Sequence, residues 1–321
     1  GGAGNDLLNG GVLADFQSDV GFRDNDRADY SAAFFGVDVN LATGIAFDGE
    51  GGMDTLIGIE AVNGSMHNDL LTGSNAFGEN FHGGAGNDTI HGGGGFDRAE
   101  YFDATGGVWI NLGGFGGFAD STATVSGDLS VGFDTLTDVE QFIGSEYDDT
   151  YSVGWFSSGS LPGGFLTGFN SFEGRGGNDM IFGNGATRAE YTSATGAVTV
   201  DLGLGQAAGD ISVGTDILFG VSQVRGSAFG DTLIGDFFNN DLDGRGGDDF
   251  IDGRQGFDRA DYAFNGPATI GLTVNLAAGT VSGDPVFSGT DTLRSIESIR
   301  GTHLDDWYDA SGFSAFSTNV G

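Results

Sequence analysis

Cysteine is absent from all 321 residues, so neither a disulfide framework nor a thiolate metal site is possible. Proline occurs three times, which excludes collagen and polyproline despite 63 glycines. Lysine is missing as well: all 11 basic residues are arginine, against 46 acidic ones, for a formal charge of -35. Such a chain repels nucleic acid and anionic membrane surfaces. No apolar run reaches the roughly 18 residues that a bilayer span requires, so membrane insertion is not expected. Catalytic signatures are missing too, since neither an HExxH pair nor a G-x-S-x-G elbow occurs. The four histidines, His67, His82, His91 and His303, sit in turn or strand-edge positions and read as surface residues. No enzyme activity is expected of this chain.

What is present is an ordered, glycine-rich repeat. The 28 phenylalanines and the 38% of hydrophobic residues argue against disorder. Gly83 to His91 reads GGAGNDTIH, and versions of it stand at Gly1 (GGAGNDLLN), Gly174 (GRGGNDMIF) and Gly244 (GRGGDDFID). A nonapeptide of this form alternates a glycine-rich turn with a three-residue strand, the signature of a parallel β-helix. The expected fold is therefore all-β, a parallel β-solenoid of the β-roll or β-helix kind, in one elongated repeat body over residues 1–321.

A larger repeat encloses the small one. DRADY at Asp26, FDRAEY at Phe96, TRAEY at Thr187 and FDRADY at Phe257 place their tyrosines 71, 90 and 71 residues apart. A segment ending Asn-Leu or Asp-Leu follows each. Next comes a G-x-D aspartate (Asp54, Asp134, Asp216, Asp291), and 15 residues later, every time, a second one (Asp69, Asp149, Asp231, Asp306). A spacer fixed in four copies implies a stacked register that tolerates no gain or loss of a residue. Units of about 26–95, 96–186, 187–256 and 257–321 result, with 1–25 as the end of a preceding unit. The chain opens inside a repeat and is expected to be a piece of something longer. The insertion at 153–173 carries Trp155, Phe156, Phe165 and Phe169, a candidate contact surface that a cell-surface glycan could use, or a loop tucking its own aromatics onto the solenoid.

Glycine turns expose backbone carbonyls, and an aspartate at position six adds a charged oxygen, a combination suited to Ca2+ with its 6 to 8 oxygen ligands. Two nonapeptides make one coil, so ligands should recur about eighteen residues apart. Asp69 with Asp88, Glu79 with Asp97, Asp231 with Asp249 and Asn240 with Asp258 satisfy this, at separations of 19, 18, 18 and 18. Leu8, Leu71, Phe81, Ile90, Tyr151, Ile181, Leu233, Leu242, Ile251 and Tyr308 are expected inside. In the DRA[DE]Y segments Ala and Tyr should point inward and Arg27, Arg98, Arg188 and Arg259 outward beside carboxylates.

These nonapeptides resemble the RTX, or haemolysin-type, calcium-binding repeats of proteins secreted by Gram-negative bacteria, and the long units resemble those of large surface and matrix proteins. The resemblance implies type I secretion of an unfolded chain that folds on several extracellular Ca2+ ions. It carries ligand positions onto Asp6, Asp69, Asp88, Asp97, Asp149, Asp179, Asp231, Asp249, Asp258 and Asp306, with Glu79 and Asn240 standing where aspartate is usual. The third unit departs, with Thr187 in place of the Phe-Asp pair. Position three is Ala or Gly in the clearest repeats, so no threonine row of the ice-binding kind is present. The expected function is a non-catalytic calcium-binding structural module of a secreted surface, S-layer, adhesin or filament-forming protein that self-associates or joins neighbouring segments of a longer chain. The alternative is the calcium-binding appendage of a secreted enzyme whose catalytic domain lies outside this chain.

Overall fold

The computed structural model describes residues 1–11, 25–75, 78–113, 122–153, 168–263, 266, 268–313 and 319. They contain 29 strands and no helix, in two compact units that divide between Gly174 and Arg175. No helix among them is long and apolar enough to cross a membrane. Trp155, Phe156 and Phe165 lie outside the described residues. Phe169 is described, half-buried with its ring 5.4 Å from that of Phe96.

In the first unit each nonapeptide strand pairs with the strand after next. Leu70–Thr72 runs parallel to Thr89–His91, and Asn80–His82 runs parallel to Arg98–Glu100. Sequence neighbours therefore lie in different sheets, and two nonapeptides close one coil: the chain is a parallel β-roll. One sheet of this unit is parallel throughout, through Arg27–Asp29, Ala61–Asn63, Asn80–His82, Arg98–Glu100, Gln141–Ile143 and Asn170–Glu173.

The other sheet is interrupted. Met53–Ile57 pairs antiparallel with Ile45–Phe47, which pairs antiparallel with Asp38–Asn40, and only then does parallel pairing resume with Leu70–Thr72. The segments ending Asn-Leu or Asp-Leu are thus the first arms of hairpins inserted between two coils. The same insertion recurs at Trp109–Leu112 with Thr122–Ser126, and in the second unit at Thr199–Asp201 with Gln206–Ala208 and Thr273–Asn275 with Thr280–Ser282. The first hairpin closes at Gly44, whose φ of 67° suits glycine and where a Cβ would meet the Leu56 carbonyl at 2.6 Å.

The fixed spacer has a geometric cause. Three residues, Gly58–Glu60, link Met53–Ile57 to Ala61–Asn63, where six, Gly83–Asp88, link Asn80–His82 to Thr89–His91. One shortened turn turns an 18-residue coil into a 15-residue one, and the strands on either side hold its length.

Central strand residues fill the roll. Leu71, Phe81, Tyr151, Leu233, Leu242 and Ile251 are fully buried, with Ile90 and Ile181 nearly so. Leu8 is half-buried. Tyr308 departs from expectation at 46% exposed, because its strand, Trp307–Asp309, pairs only with Thr273–Asn275 among the described residues. Tyr151 and Phe172 stack at 4.9 Å and Phe142 lies against Tyr151 at 5.9 Å. Phe142→Ala is expected to cost about 3–5 kcal/mol through the cavity it leaves, read as a fall in the unfolding midpoint at saturating calcium.

Ala28, Ala99, Ala189 and Ala260 point inward in the arginine segments. The arginines stand on the opposite face beside carboxylates: Arg27 Nη2 reaches Glu100 at 3.0 Å, Arg188 reaches Glu190 at 2.6 Å, and Arg259 pairs with Asp241. Arg98 lies between Glu100, at 3.3 Å, and Asn80 Oδ1, at 2.9 Å.

Candidate metal centre

Each turn starts on glycine because the carboxylate that ends it folds back over that residue. A Cβ at Gly83 would lie 2.2 Å from Asp88 Oδ2, and one at Gly244 would lie 2.1 Å from Asp249 Oδ2. The carboxylate then reaches across to the neighbouring coil. Asp88 Oδ1 accepts the Asp69 N–H at 2.9 Å; Asp97, Asp249 and Asp258 accept those of Glu79, Asp231 and Asn240, each at 2.7 Å. The structure brings together all four pairs that the eighteen-residue spacing selected.

Each series ends on a carboxylate outside the predicted ligand set. The N–H groups of Asp6, Asp88, Asp179 and Asp249 donate to Asp54, Asp134, Asp216 and Asp291 at 2.9–3.0 Å. On the other edge Asp97 and Asp258 donate to Glu140 and Glu297 at 3.0 and 2.8 Å. The G-x-D repeat was the signal for the aspartates, and a glutamate six residues later (Glu60, Glu140, Glu297) was a signal not read. In the third unit Ser222 holds that place, and Thr187 Oγ1 closes locally on Asn184 Oδ1 at 3.2 Å. The turn itself is replaced there by a continuous strand, Met180–Glu190, that is bulged between Phe182 and Thr187.

The tyrosines of the long repeat complete these end carboxylates. Tyr30, Tyr101 and Tyr262 hydroxyls donate to Asp54, Asp134 and Asp291 Oδ2 at 3.1, 3.0 and 2.7 Å. Tyr262→Phe would leave a buried carboxylate oxygen without its donor, and the expected cost of about 1–3 kcal/mol is checked by denaturant unfolding.

The predicted ligands themselves fall into two sets. Asp69 is filled by the protein: Oδ1 accepts the Val37 N–H at 2.7 Å and the Ser65 hydroxyl at 2.8 Å, while Oδ2 accepts the Ser65 N–H at 2.5 Å. Asp149 and Asp231 repeat this with Val108 and Ser145 and with Val198 and Ser227. Asp306 Oδ1 accepts from Leu272 N–H and Thr302 Oγ1, and Asn240 Oδ1 from Asp236 N–H. In contrast Asp6, Asp88, Asp97, Asp249 and Asp258 Oδ2 and Glu79 Oε2 are buried without any hydrogen-bond partner. Asp179 belongs with these turns by sequence and by its N–H bond to Asp216.

Burial and like charge push four of these carboxyls up: Asp88, Asp97, Asp249 and Asp258. Burial, with Asp134's charge added, raises Asp88 to about 8, and burial with Asp291 raises Asp249 to about 9. Asp97 rises to about 8 and Asp258 to about 6, burial leading in both. A buried anionic oxygen that no donor reaches is costly to leave alone and suits a hard cation. Among the described residues no three His, Cys, Asp or Glu side chains gather into a metal cluster. A cation held at Asp6, Glu79, Asp88, Asp97, Asp249 or Asp258 therefore takes most of its oxygens from backbone carbonyls, which calcium accepts and a glycine turn supplies.

A search of curated proteins finds no match to the chain. The family model described as the RTX calcium-binding nonapeptide repeat matches four stretches, residues 1–16, 80–99, 166–186 and 225–260. Those stretches contain Asp6, Asp88, Asp97, Asp179, Asp231, Asn240, Asp249 and Asp258 of the predicted ligands. The four matched stretches are RTX calcium-binding nonapeptide repeats, which makes this chain a carrier of a calcium-binding structural module.

Proposed function

We propose that this protein is a non-catalytic module of a secreted bacterial surface protein, of the surface-layer, adhesin or filament-forming kind, in which calcium serves architecture. One observation carries the reading. At Asp88, Asp97, Asp249 and Asp258 the oxygen that lacks a donor shares its carboxylate with an oxygen holding the next coil's N–H. An ion bound there fastens coil to coil, and the residues it touches are too buried to meet a substrate. The histidines support the same reading, being engaged separately: His82 with Asp103 at 2.7 Å and His91 with Thr137 at 2.5 Å. A chain secreted unfolded and ordered outside the cell by calcium fits turns that need the ion to be satisfied.

Exposed phenylalanines supply contact surface for self-association, with Phe34, Phe35 and Phe47 in the first unit and Phe237 and Phe238 in the second. Light scattering and electron microscopy at high protein concentration, with and without calcium, test the assembly. Growth of ordered particles only with calcium is expected, and a monodisperse monomer in both conditions would count against filament or layer formation.

A further inference from the structure

The second residue of each six-residue turn separates the two sets of carboxylates; the seven-residue stretch Gly73–Glu79 stands outside this rule, since the Ser74 N–H and hydroxyl bond Glu79 Oε1 while Oε2 keeps no partner. Before Asp6, Asp88, Asp97, Asp249 and Asp258 it is Gly2, Gly84, Gly93, Arg245 or Arg254, with φ of 85°, 87°, 99°, 66° and 63°. Before Asp69, Asp149, Asp231 and Asn240 it is Ser65, Ser145, Ser227 or Asp236, none of which has a positive φ. In this second set the residue's own N–H bonds the turn-ending side chain, at 2.5–2.8 Å. In the first set it points elsewhere: the Arg245 and Arg254 N–H groups go to Asp243 and Asp252 Oδ1, both at 3.0 Å.

This is a peptide flip between the first and second residues. A planar peptide carries its N–H and C=O on opposite sides, so turning the donor away from the carboxylate turns the first residue's carbonyl toward it. A carboxylate beside an N–H and a hydroxyl is complete. One beside a carbonyl faces a second acceptor and lacks a donor, a gap that a hard cation fills. Arginine rarely adopts positive φ, and its presence there three times, at Arg175, Arg245 and Arg254, marks a flip enforced by the turn and not by glycine's freedom.

We propose that in the six-residue turns the second residue decides whether the turn takes calcium: glycine or arginine in the left-handed region opens it, whereas serine closes it with its own N–H and hydroxyl, leaving the Asp69, Asp149 and Asp231 turns cation-free. This rests on the calcium reading above. Serine closure falls at the second aspartate of each of the first three long units, and Thr302 bonds Asp306 Oδ1 at 2.9 Å in the fourth. Calcium is thereby confined to the turns between these closures, although the carboxylates themselves recur along the whole roll.

The test counts bound ions by native mass spectrometry of the full chain at saturating calcium, with circular dichroism to confirm that each variant is folded. Ser227→Gly removes the hydroxyl and frees the flip, so it should bind one ion more than the parent. Ser227→Ala removes the hydroxyl alone and should bind the parent number. Arg245→Ser should bind one fewer, and Arg245→Gly, which keeps the open geometry, should lose none. If Arg245→Ser fails to fold, the Ser227→Gly count decides. A parent that binds no calcium defeats the calcium reading itself, whereas a parent that binds it and a Ser227→Gly variant with an unchanged count defeat the sorting rule alone.

Discussion

In excess chelator at pH 8.5 this protein should lose its strand signal in circular dichroism, and millimolar calcium should restore it. Six buried carboxylate oxygens, on Asp6, Glu79, Asp88, Asp97, Asp249 and Asp258, have no partner. Leaving a buried polar group unsatisfied costs about 1–3 kcal/mol, and more when it is charged. Six such groups together come to about 6–18 kcal/mol, as large as a typical domain stability of about 5–15 kcal/mol. The neighbouring end carboxylates deepen the problem, since Asp134 and Asp291 stand one coil away from Asp88 and Asp249 in a dry site. Binding to the folded coils alone then makes the ion's affinity part of the folding free energy. Magnesium at the same concentration should restore far less, because it demands a tight octahedron that a shell of carbonyls does not readily give. A full strand signal in chelator would defeat the claim.

Acidifying the chelated protein from pH 8.5 to 5.5 should bring much of the lost structure back. Asp258, Asp88, Asp97 and Asp249 titrate in the folded state near 6, 8, 8 and 9, all above the unfolded value of about 4. A carboxyl shifted up contributes stability that is complete below its unfolded pKa and is lost as pH rises through its folded one. Ion-free stability therefore declines from about pH 4 to about pH 9, by up to about 1.4 kcal/mol per pH unit for each group whose folded pKa still lies above the pH. Calcium reverses the trend, because protons compete for the same oxygens and affinity rises with pH. Unfolding midpoints across pH 5.5 to 8.5, with chelator and with calcium, should slope in opposite directions. Parallel slopes would mean that these carboxyls are not the coupled groups. Carboxyls held low by hydrogen bonds, such as Asp103 beside His82 and Asp210 beside Ser212, act in the opposite sense and confine the recovery to the range above about pH 4.

The ligand list shows where sequence reasoning stops. Asp88 and Asp69 occupy the same sixth position in turns that both begin with glycine, and they stack on one another as their spacing required. One has an oxygen with no donor and the other is filled by Ser65. The difference was written in the chain, as Gly84 against Ser65, but its meaning is a backbone angle and not a composition. Asp54, Asp134, Asp216 and Asp291 were visible as a repeated G-x-D. Their service as acceptors for the preceding coil, and for a tyrosine hydroxyl at Asp54, Asp134 and Asp291, depends on residues 24 to 48 positions away.

Sequence alone determined the β-roll, the inward row of apolar residues and the eighteen-residue partnership of its carboxylates, because each follows from a short period that every coil repeats. The hairpins inserted into one sheet, the shortened turn at Glu60 that sets the 15-residue spacer, and the division of carboxylates into filled and unfilled were decided by tertiary structure. A strand's direction and a peptide's flip are settled by what lies on the adjacent coil, and that neighbour is chosen by stacking across distances that no local pattern records.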